Sequence, residues 1–379
     1  MNPILRYLKN VFAAKRVLGE NLELMGLLKA DSLLQDMYAK NKFPGLAITV
    51  LKEGETIFQK GFGYADTEQK QFIDPRKSIF RIASVSKPIA ATALAHMVQD
   101  GLIDINESFY TYVPDFPKKS CDFTIRQLAS HTAGIRTYKG KEYGLNEPYS
   151  IKDSLTVFKN DPLLFEPGKG YLYNSFDWVM ISVAMQETSS IPFEEYVQEK
   201  VLNPLGMINT CIPKCHPEGS RRYDGTKVKE ITEIKATKNV ATFYTKCLAG
   251  FRKAIPVDNF YKLAGGGYLS TSEDIAKFGQ AYLEKRIEVK AEFLNQFLTS
   301  QEVNGKLTYY GLGWQVSEDA KGRKFYGHIG NGVGGYSNFF VYPKEQLVFS
   351  ILINCTDPKV QEELDKVIDC FFNEVVESN

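Results

Sequence analysis

The chain has 379 residues, 44% hydrophobic and 24% charged, enough for one large domain or two ordinary ones. A formal net charge of +1 gives no argument for nucleic acid as a partner. No apolar run approaches the roughly 20 residues of a membrane-spanning helix, and six cysteines are too sparse for a disulfide scaffold.

Met1 to Gly19 is basic, with Arg6, Lys9, Lys15 and Arg16, and has no acid until Glu20. Ile4, Leu5, Leu8, Val11 and Phe12 share one helical face, as in a mitochondrial presequence. A helix packed on the domain or on a neighbouring subunit explains the same pattern. No secretory signal is expected. A second helix is predicted to run to about Asn41 and to end at Lys42-Phe43-Pro44-Gly45. Leu46 to Leu51, a turn at Glu53-Gly54, and Thr56 to Tyr64 then read as a β-hairpin.

The next stretch, Arg81 to Pro88, carries Ser84-x-x-Lys87 ahead of the apolar run Ile89 to Val98. Pro88 requires a helix to begin close to Ser84. Ser84 and Lys87 then share one face within side-chain reach. A serine hydroxyl attacks a carbonyl only with a base beside it, and burial lowers a lysine pKa enough to make it that base. Ile82, Val85, Ile89 and Ala90 can supply the burial, and the helix N-terminus favours a developing oxyanion. A lone S-x-x-K is more often a solvated pair capping a helix, so this reading depends on the rest of the chain.

Residues 102–264 show helical periodicity, as at Trp178 to Thr188 and Phe193 to Leu202, and no convincing strand. Within them, the turn Glu166 to Ser175 delivers Tyr173, able to exchange a proton with a buried lysine, and Ser175. A Pro-Gly turn with aromatic packing accounts equally for that stretch. Residues 214–262 read as a basic, irregular surface excursion. Cys211, Cys215 and His216 lack a fourth ligand, so no metal is expected.

From Gly265 the pattern changes. Ser272-Glu273-Asp274 opens a helix through Leu283, followed by strand-like runs at Gly311 to Val316, Lys324 to His328, Ser337 to Tyr342 and Leu347 to Ile353. An amphipathic helix from Lys359 to Val376 closes the chain. Gly327 to Gly332 sits at a strand end, where glycines admit a substrate close to the backbone. A free N–H there, with that of Ser84, would form a two-donor oxyanion hole. A glycine-rich bend with a satisfied histidine is the plainer alternative.

Strands at both ends with helices between predict an α/β fold, its sheet built from both chain ends around an inserted helical lobe. The expected division is an N-terminal helical segment 1–42 and a domain 43–379. Its α/β part covers about 43–80 and 265–379, and its helical lobe about 81–264.

Ser84-x-x-Lys87, Tyr173-x-Ser175 and His328-x-Gly330, in this order, resemble the three motifs of the serine β-lactamase and penicillin-binding-protein superfamily, in its class C branch. Gln127 to Ile135 and Leu263 to Asp274 fit the same family. Asp115 to Lys119, Ser130 to Tyr138, Phe158 to Pro167 and Val257-Asp258-Asn259 resemble a subgroup of mitochondrial members and bacterial relatives. The resemblance covers roughly Phe43 to Asn354. It implies a class C β-lactamase-like fold with an antiparallel sheet and an all-helical lobe. It makes Ser84 the nucleophile, Lys87 its base and Tyr173 a proton relay. Ser175 takes a polar position often held by asparagine, and His328 stands where many members carry lysine. Gly330 belongs to the third motif, and the backbone N–H groups of Ser84 and Asn331 form the oxyanion hole. His131 lies in a family turn with a structural role. Asp177-Trp178 departs from the Gly-Tyr common in relatives.

The implied activity is hydrolysis of a peptide or amide through an acyl-enzyme, without a cofactor. Small-ester hydrolysis is the near alternative, and a non-catalytic filament or scaffold the distant one. The partner is a peptide or small acyl substrate, with a homo-oligomer left open, in a mitochondrion or a bacterial cytoplasm. Ile329 stands where a hydroxyl usually reads a substrate carboxylate, and neutral His328 carries less positive charge than lysine. Both weaken the case for penicillins and for substrates with a carboxylate beside the scissile bond.

Overall fold

The structure, a computed structural model, describes residues 26–213 and 239–372. The basic segment Met1 to Gly19 lies outside the described residues. The chain forms two compact units, one of residues up to Lys40 with those from Val360 onward, the other Asn41–Lys359. In the first, helix α1 (Gly26–Ala39) buries Gly26, Ala30, Leu34 and Met37, one stripe at helical spacing. The helix Gln361–Cys370 buries Leu364, Val367, Ile368 and Cys370 and packs against α1.

The second unit is organised by one antiparallel sheet. Its strands are β1 (Gly45–Lys52), β2 (Glu55–Asp66), β3 (Gln71–Phe72), β4 (Gln315–Glu318), β5 (Lys324–Gly332), β6 (Gly335–Tyr342) and β7 (Leu347–Ile353). They lie in the order β4-β5-β6-β7-β1-β2-β3. The predicted hairpin is β1–β2, and Leu46 faces Ile353, so β1 sits inside the sheet between β2 and β7. β6 and β7 are buried at every residue and β1 at all but Lys52, which is why these segments lack the alternation of a half-exposed strand.

Helix α2 (Ser86–Gln99) is buried from Ser86 through Met97, on every face, as befits a helix inside a core. Helix α3 (Phe176–Ser189) is likewise buried from Phe176 through Met185. Helix α4 (Ser272–Leu283) starts at the predicted site, with Thr271 as its N-cap, and lies on β1, β6 and β7. A Cβ on Gly279 would stand 2.6 Å from Val348 Cγ1 and 2.8 Å from Phe339 Cε2, so glycine permits this close docking.

Two expectations need correction. The run 311–316 enters the sheet only at Gln315 and continues to Glu318. The region 102–264 is not wholly helical: Tyr244–Cys247 and Gly250–Lys253 form a hairpin whose first strand pairs in parallel with Cys355–Thr356. Only Tyr244 is buried in that hairpin, so no apolar pattern marked it. Its partner is supplied about 110 residues later.

Candidate active site

The strand Phe80–Arg81 pairs with Leu269–Ser270 and delivers the chain to a sharp turn. Ala83 has φ +45°, a conformation L residues adopt only at a cost of about 1–3 kcal/mol. The turn is held on several sides. Ser337 Oγ donates to the Ile82 carbonyl at 2.7 Å, and Ser86 Oγ donates to the Ala83 carbonyl at 2.7 Å. A 3₁₀ turn spans Ala83–Val85 and α2 begins at Ser86, two residues after Ser84. Pro88 is thus the third residue of α2, where an N–H has no intrahelical acceptor to lose. Ser86 is fully buried and committed to Ala83, whereas Ser84 lines an open recess.

Lys87 is completely buried, and three oxygens surround its amine. They are Ser84 Oγ at 3.2 Å, the Tyr173 hydroxyl at 2.8 Å and the Gly265 carbonyl at 2.6 Å. No carboxylate is among these contacts. Burial, with the charge of Lys262 adding to it, pushes the Lys87 amine down to about 7. A neutral amine has two N–H groups and one lone pair. Gly265 can only accept, and Tyr173 donates its own hydrogen to Ser84 Oγ at 2.7 Å, so it too receives an N–H from Lys87. The lone pair is left for the Ser84 hydroxyl. Burial raises the Tyr173 phenol far above its usual range, so it stays protonated and able to donate. Ser84, Lys87 and Tyr173 therefore form a closed ring of proton donors and acceptors.

The loop carrying Tyr173 is fixed from behind. Leu172 N–H donates to the His131 carbonyl at 2.9 Å. Asn174 Nδ2 donates to Asp177 Oδ2 at 2.7 Å, and the same oxygen lies 2.8 Å from His131 Nδ1. His131 has φ +62°, and its ring stands edge-on to Tyr173 with centroids 4.6 Å apart. Burial raises the Asp177 carboxyl well above the usual range and, with the Lys87 charge, holds His131 well below its own. The departure Asp177 thus has a local partner in His131.

His328, on β5, does not reach the recess. It is buried, and its Nδ1 donates to the Ile329 carbonyl at 2.7 Å, which leaves Nε2 to accept from the Tyr310 hydroxyl at 2.9 Å. Burial and the Lys87 charge push His328 down to about 3, so it carries no charge at neutral pH. Ile329 does not line the recess either. Its N–H donates to Gln315 Oε1, away from β6, and strand alternation points the Asn331 N–H the same way. Asn331 does line the recess, with Ser84 and Ser175. Gly330 lets the strand lie against the Ser84 turn. A Cβ there would stand 2.2 Å from Ser337 Oγ, 2.4 Å from the Ile82 carbonyl and 3.0 Å from Ser84 N.

Gly330→Ala is accordingly expected to displace the Ser84 turn while leaving the remote core folded. An ångström of misplacement lowers kcat/KM by about 10²-fold. Serine-probe labelling rates beside a melting curve check this; unaltered labelling would show that the strand and the turn are not coupled.

Other walls are Arg81, Tyr138, Tyr143, Asn259, Lys262 and Gly265–Gly266; of these only Tyr143 and Lys262 fall outside the stretches that the sequence singled out. Asn259 falls in the Val257-Asp258-Asn259 resemblance, but nothing local tied Lys262 to Ser84. Cys211 bridges to Leu269 as an isolated β-pair, and Cys215 and His216 lie outside the described residues.

The Beta-lactamase family model matches residues 30–370. The human mitochondrial protein named serine beta-lactamase-like protein LACTB (Homo sapiens) is 27% identical over 403 residues, spanning 80% of this chain and 69% of its own. Two solved structures share the fold. One, described as an octameric penicillin-binding protein homologue from Pyrococcus abyssi, superposes with a TM-score of 0.72 at 23% identity, over 87% of this chain and 73% of that one. The other, a D-amino acid amidase from Ochrobactrum anthropi SV3 complexed with D-phenylalanine, has a TM-score of 0.75 at 20% identity, over 91% and 98%.

Proposed function

The chain belongs to the Beta-lactamase family, and on that premise we propose that it is a serine hydrolase cleaving amide or peptide bonds through an acyl-enzyme on Ser84. The observation that carries this reading is the closed Ser84–Lys87–Tyr173 ring around an amine with a pKa of about 7. Lys87 takes the Ser84 proton as Oγ bonds to the substrate carbonyl carbon. The oxyanion forms against the N–H groups of Ser84 and Asn331. Tyr173 donates its hydrogen to the departing nitrogen and is reprotonated by the Lys87 ammonium. A water then attacks the ester; its proton passes back through the same ring, the Ser84–acyl bond breaks, and Ser84 recovers its hydrogen. Ser175, at the start of α3, makes no side-chain capping bond and offers its hydroxyl to the substrate.

An amine leaves only when protonated, whereas a nitrophenolate leaves unaided. A ring with Tyr173 poised as acid is therefore suited to amides, and the amidase of the same fold accords with that. The test compares a 4-nitroanilide and a 4-nitrophenyl ester of one acyl group. Tyr173→Phe is expected to lower kcat/KM by about 10²–10⁴-fold on the anilide and much less on the ester. Equal losses would remove Tyr173 as leaving-group acid. Turnover of the ester alone in the wild type would favour an esterase.

A further inference from the structure

Among the described residues, Arg81 and Lys262 are the charged ones lining the Ser84 recess, and no carboxylate lines it. Arg81 is held in place, its Nη1 donating to the Val333 carbonyl at 2.7 Å and its guanidinium 4.1 Å from the Phe243 ring centroid. Lys262 differs. Its amine lies 5.2 Å from the Tyr138 ring centroid and 5.7 Å from that of Tyr261, and among the described residues no acid pairs with it. It belongs to the short turn Phe260–Lys262, which leads directly into Leu263–Gly267. That segment supplies the Gly265 carbonyl to Lys87. The cation is thus built into the wall that positions the Lys87 amine. Meanwhile His328, at the strand position where many family members carry lysine, is buried and hydrogen-bonded at both ring nitrogens.

We infer that Lys262 is a specificity-determining residue that binds a carboxylate on the substrate, and that the preferred amides carry this anion away from the β5 strand end. The inference rests on the reading of Ser84 as nucleophile. A lysine facing a partly enclosed recess without a counter-ion makes a charge-assisted bond to an incoming anion. The expectation drawn from Ile329 is narrowed: Ile329 still offers no hydrogen bond to a carboxylate beside the scissile bond, whereas the Lys262 wall takes a carboxylate placed elsewhere on the substrate. The geometry also links recognition to chemistry. The Lys262 charge lowers the basicity of Lys87, so a bound anion offsets it and makes Lys87 the stronger base in the complex.

The test uses succinic and glutaric mono-4-nitroanilides against their terminal carboxamides, with the full chain. The wild type is expected to favour the carboxylate in kcat/KM by roughly ten- to a hundredfold, the range for a hydrogen bond to a charged group. Lys262→Met should abolish the ratio and Lys262→Arg should retain it. For the carboxylate substrates alone, the acidic limb of kcat should lie above that of kcat/KM, a shift that loss of packing would not produce. Calorimetry of glutarate and glutaramide with the Ser84→Ala variant reads binding without turnover: glutarate should bind more tightly, and Lys262→Met should erase the difference. A wild type indifferent to the charge, or a preference that survives Lys262→Met, overturns the inference. Failure of Ser84 to label with a serine probe, beside intact glutarate selectivity, would instead overturn the hydrolase reading.

Discussion

Replacing Ser84 with alanine is expected to abolish labelling by a fluorophosphonate probe and to lower kcat by about 10⁴–10⁶-fold, the scale on which serine hydrolases lose activity without their nucleophile. The fold should be untouched. Among the described residues Ser84 Oγ bonds only within the ring, to Lys87 and Tyr173, while the turn is held by Ser86, Ser337 and backbone bonds that do not involve it. The nearest rival, Ser86, is fully buried with its hydroxyl bonded to Ala83 and its oxygen accepting the Tyr268 N–H at 3.2 Å. The labelled peptide should therefore map to Ser84 by mass spectrometry. Persistent labelling in Ser84→Ala would overturn the assignment. An unlabelled but well-folded wild type would favour a scaffold.

Lys87→Arg tests the base with its charge conserved. Guanidinium stays protonated at any accessible pH, so it has no lone pair for the Ser84 hydroxyl. A loss of about 10²–10⁴-fold in kcat/KM is expected, the usual weight of general-base catalysis. The pH profile gives an independent reading. Because burial and Lys262 lower the Lys87 pKa to about 7, the neutral amine predominates above that pH and the ammonium below it. The wild-type kcat/KM should therefore fall on the acidic side with a midpoint near 7, by about tenfold per pH unit, as one essential proton returns. His328 and His131, both held well below neutrality, cannot account for that limb. A profile flat from pH 5 to 8, or near-normal rates in Lys87→Arg, would assign the base elsewhere.

Legibility tracked distance along the chain. Ser84 and Lys87 lie three residues apart, and the 3₁₀ turn running into α2 brings them together. The β1–β2 hairpin was readable because its turn is local, and β7 because a strand buried on both faces leaves a run that is apolar at every residue but Ser350. Remote partners outside the three motifs were not readable from local residue patterns. The Gly265 carbonyl reaches Lys87 across 178 residues, and no residue type advertises a backbone acceptor. Tyr310 lies 18 residues before His328, yet nothing local foretold that its hydroxyl would bond the buried His328 ring. Asp177 looked like an anomaly until His131, 46 residues earlier, was placed against it. Lys262 carried no motif, and its meaning comes from the wall it occupies.

The place of β1 in its sheet has a consequence for biosynthesis. β1 is translated before its inner neighbour β7, which is encoded about 300 residues later. At roughly 5–20 residues per second, the ribosome needs about 15–60 s to supply it. Throughout that interval a largely apolar strand is paired with β2 on one edge and open on the other, the arrangement that templates association between nascent chains. Ser84, Lys87 and Tyr173 emerge well before Asn331, so the recess cannot be completed until the strands around β7 arrive. The yield of active protein should therefore depend on elongation rate and on chaperones that bind exposed strands, and truncations before β7 should accumulate as aggregates rather than as partly active enzyme.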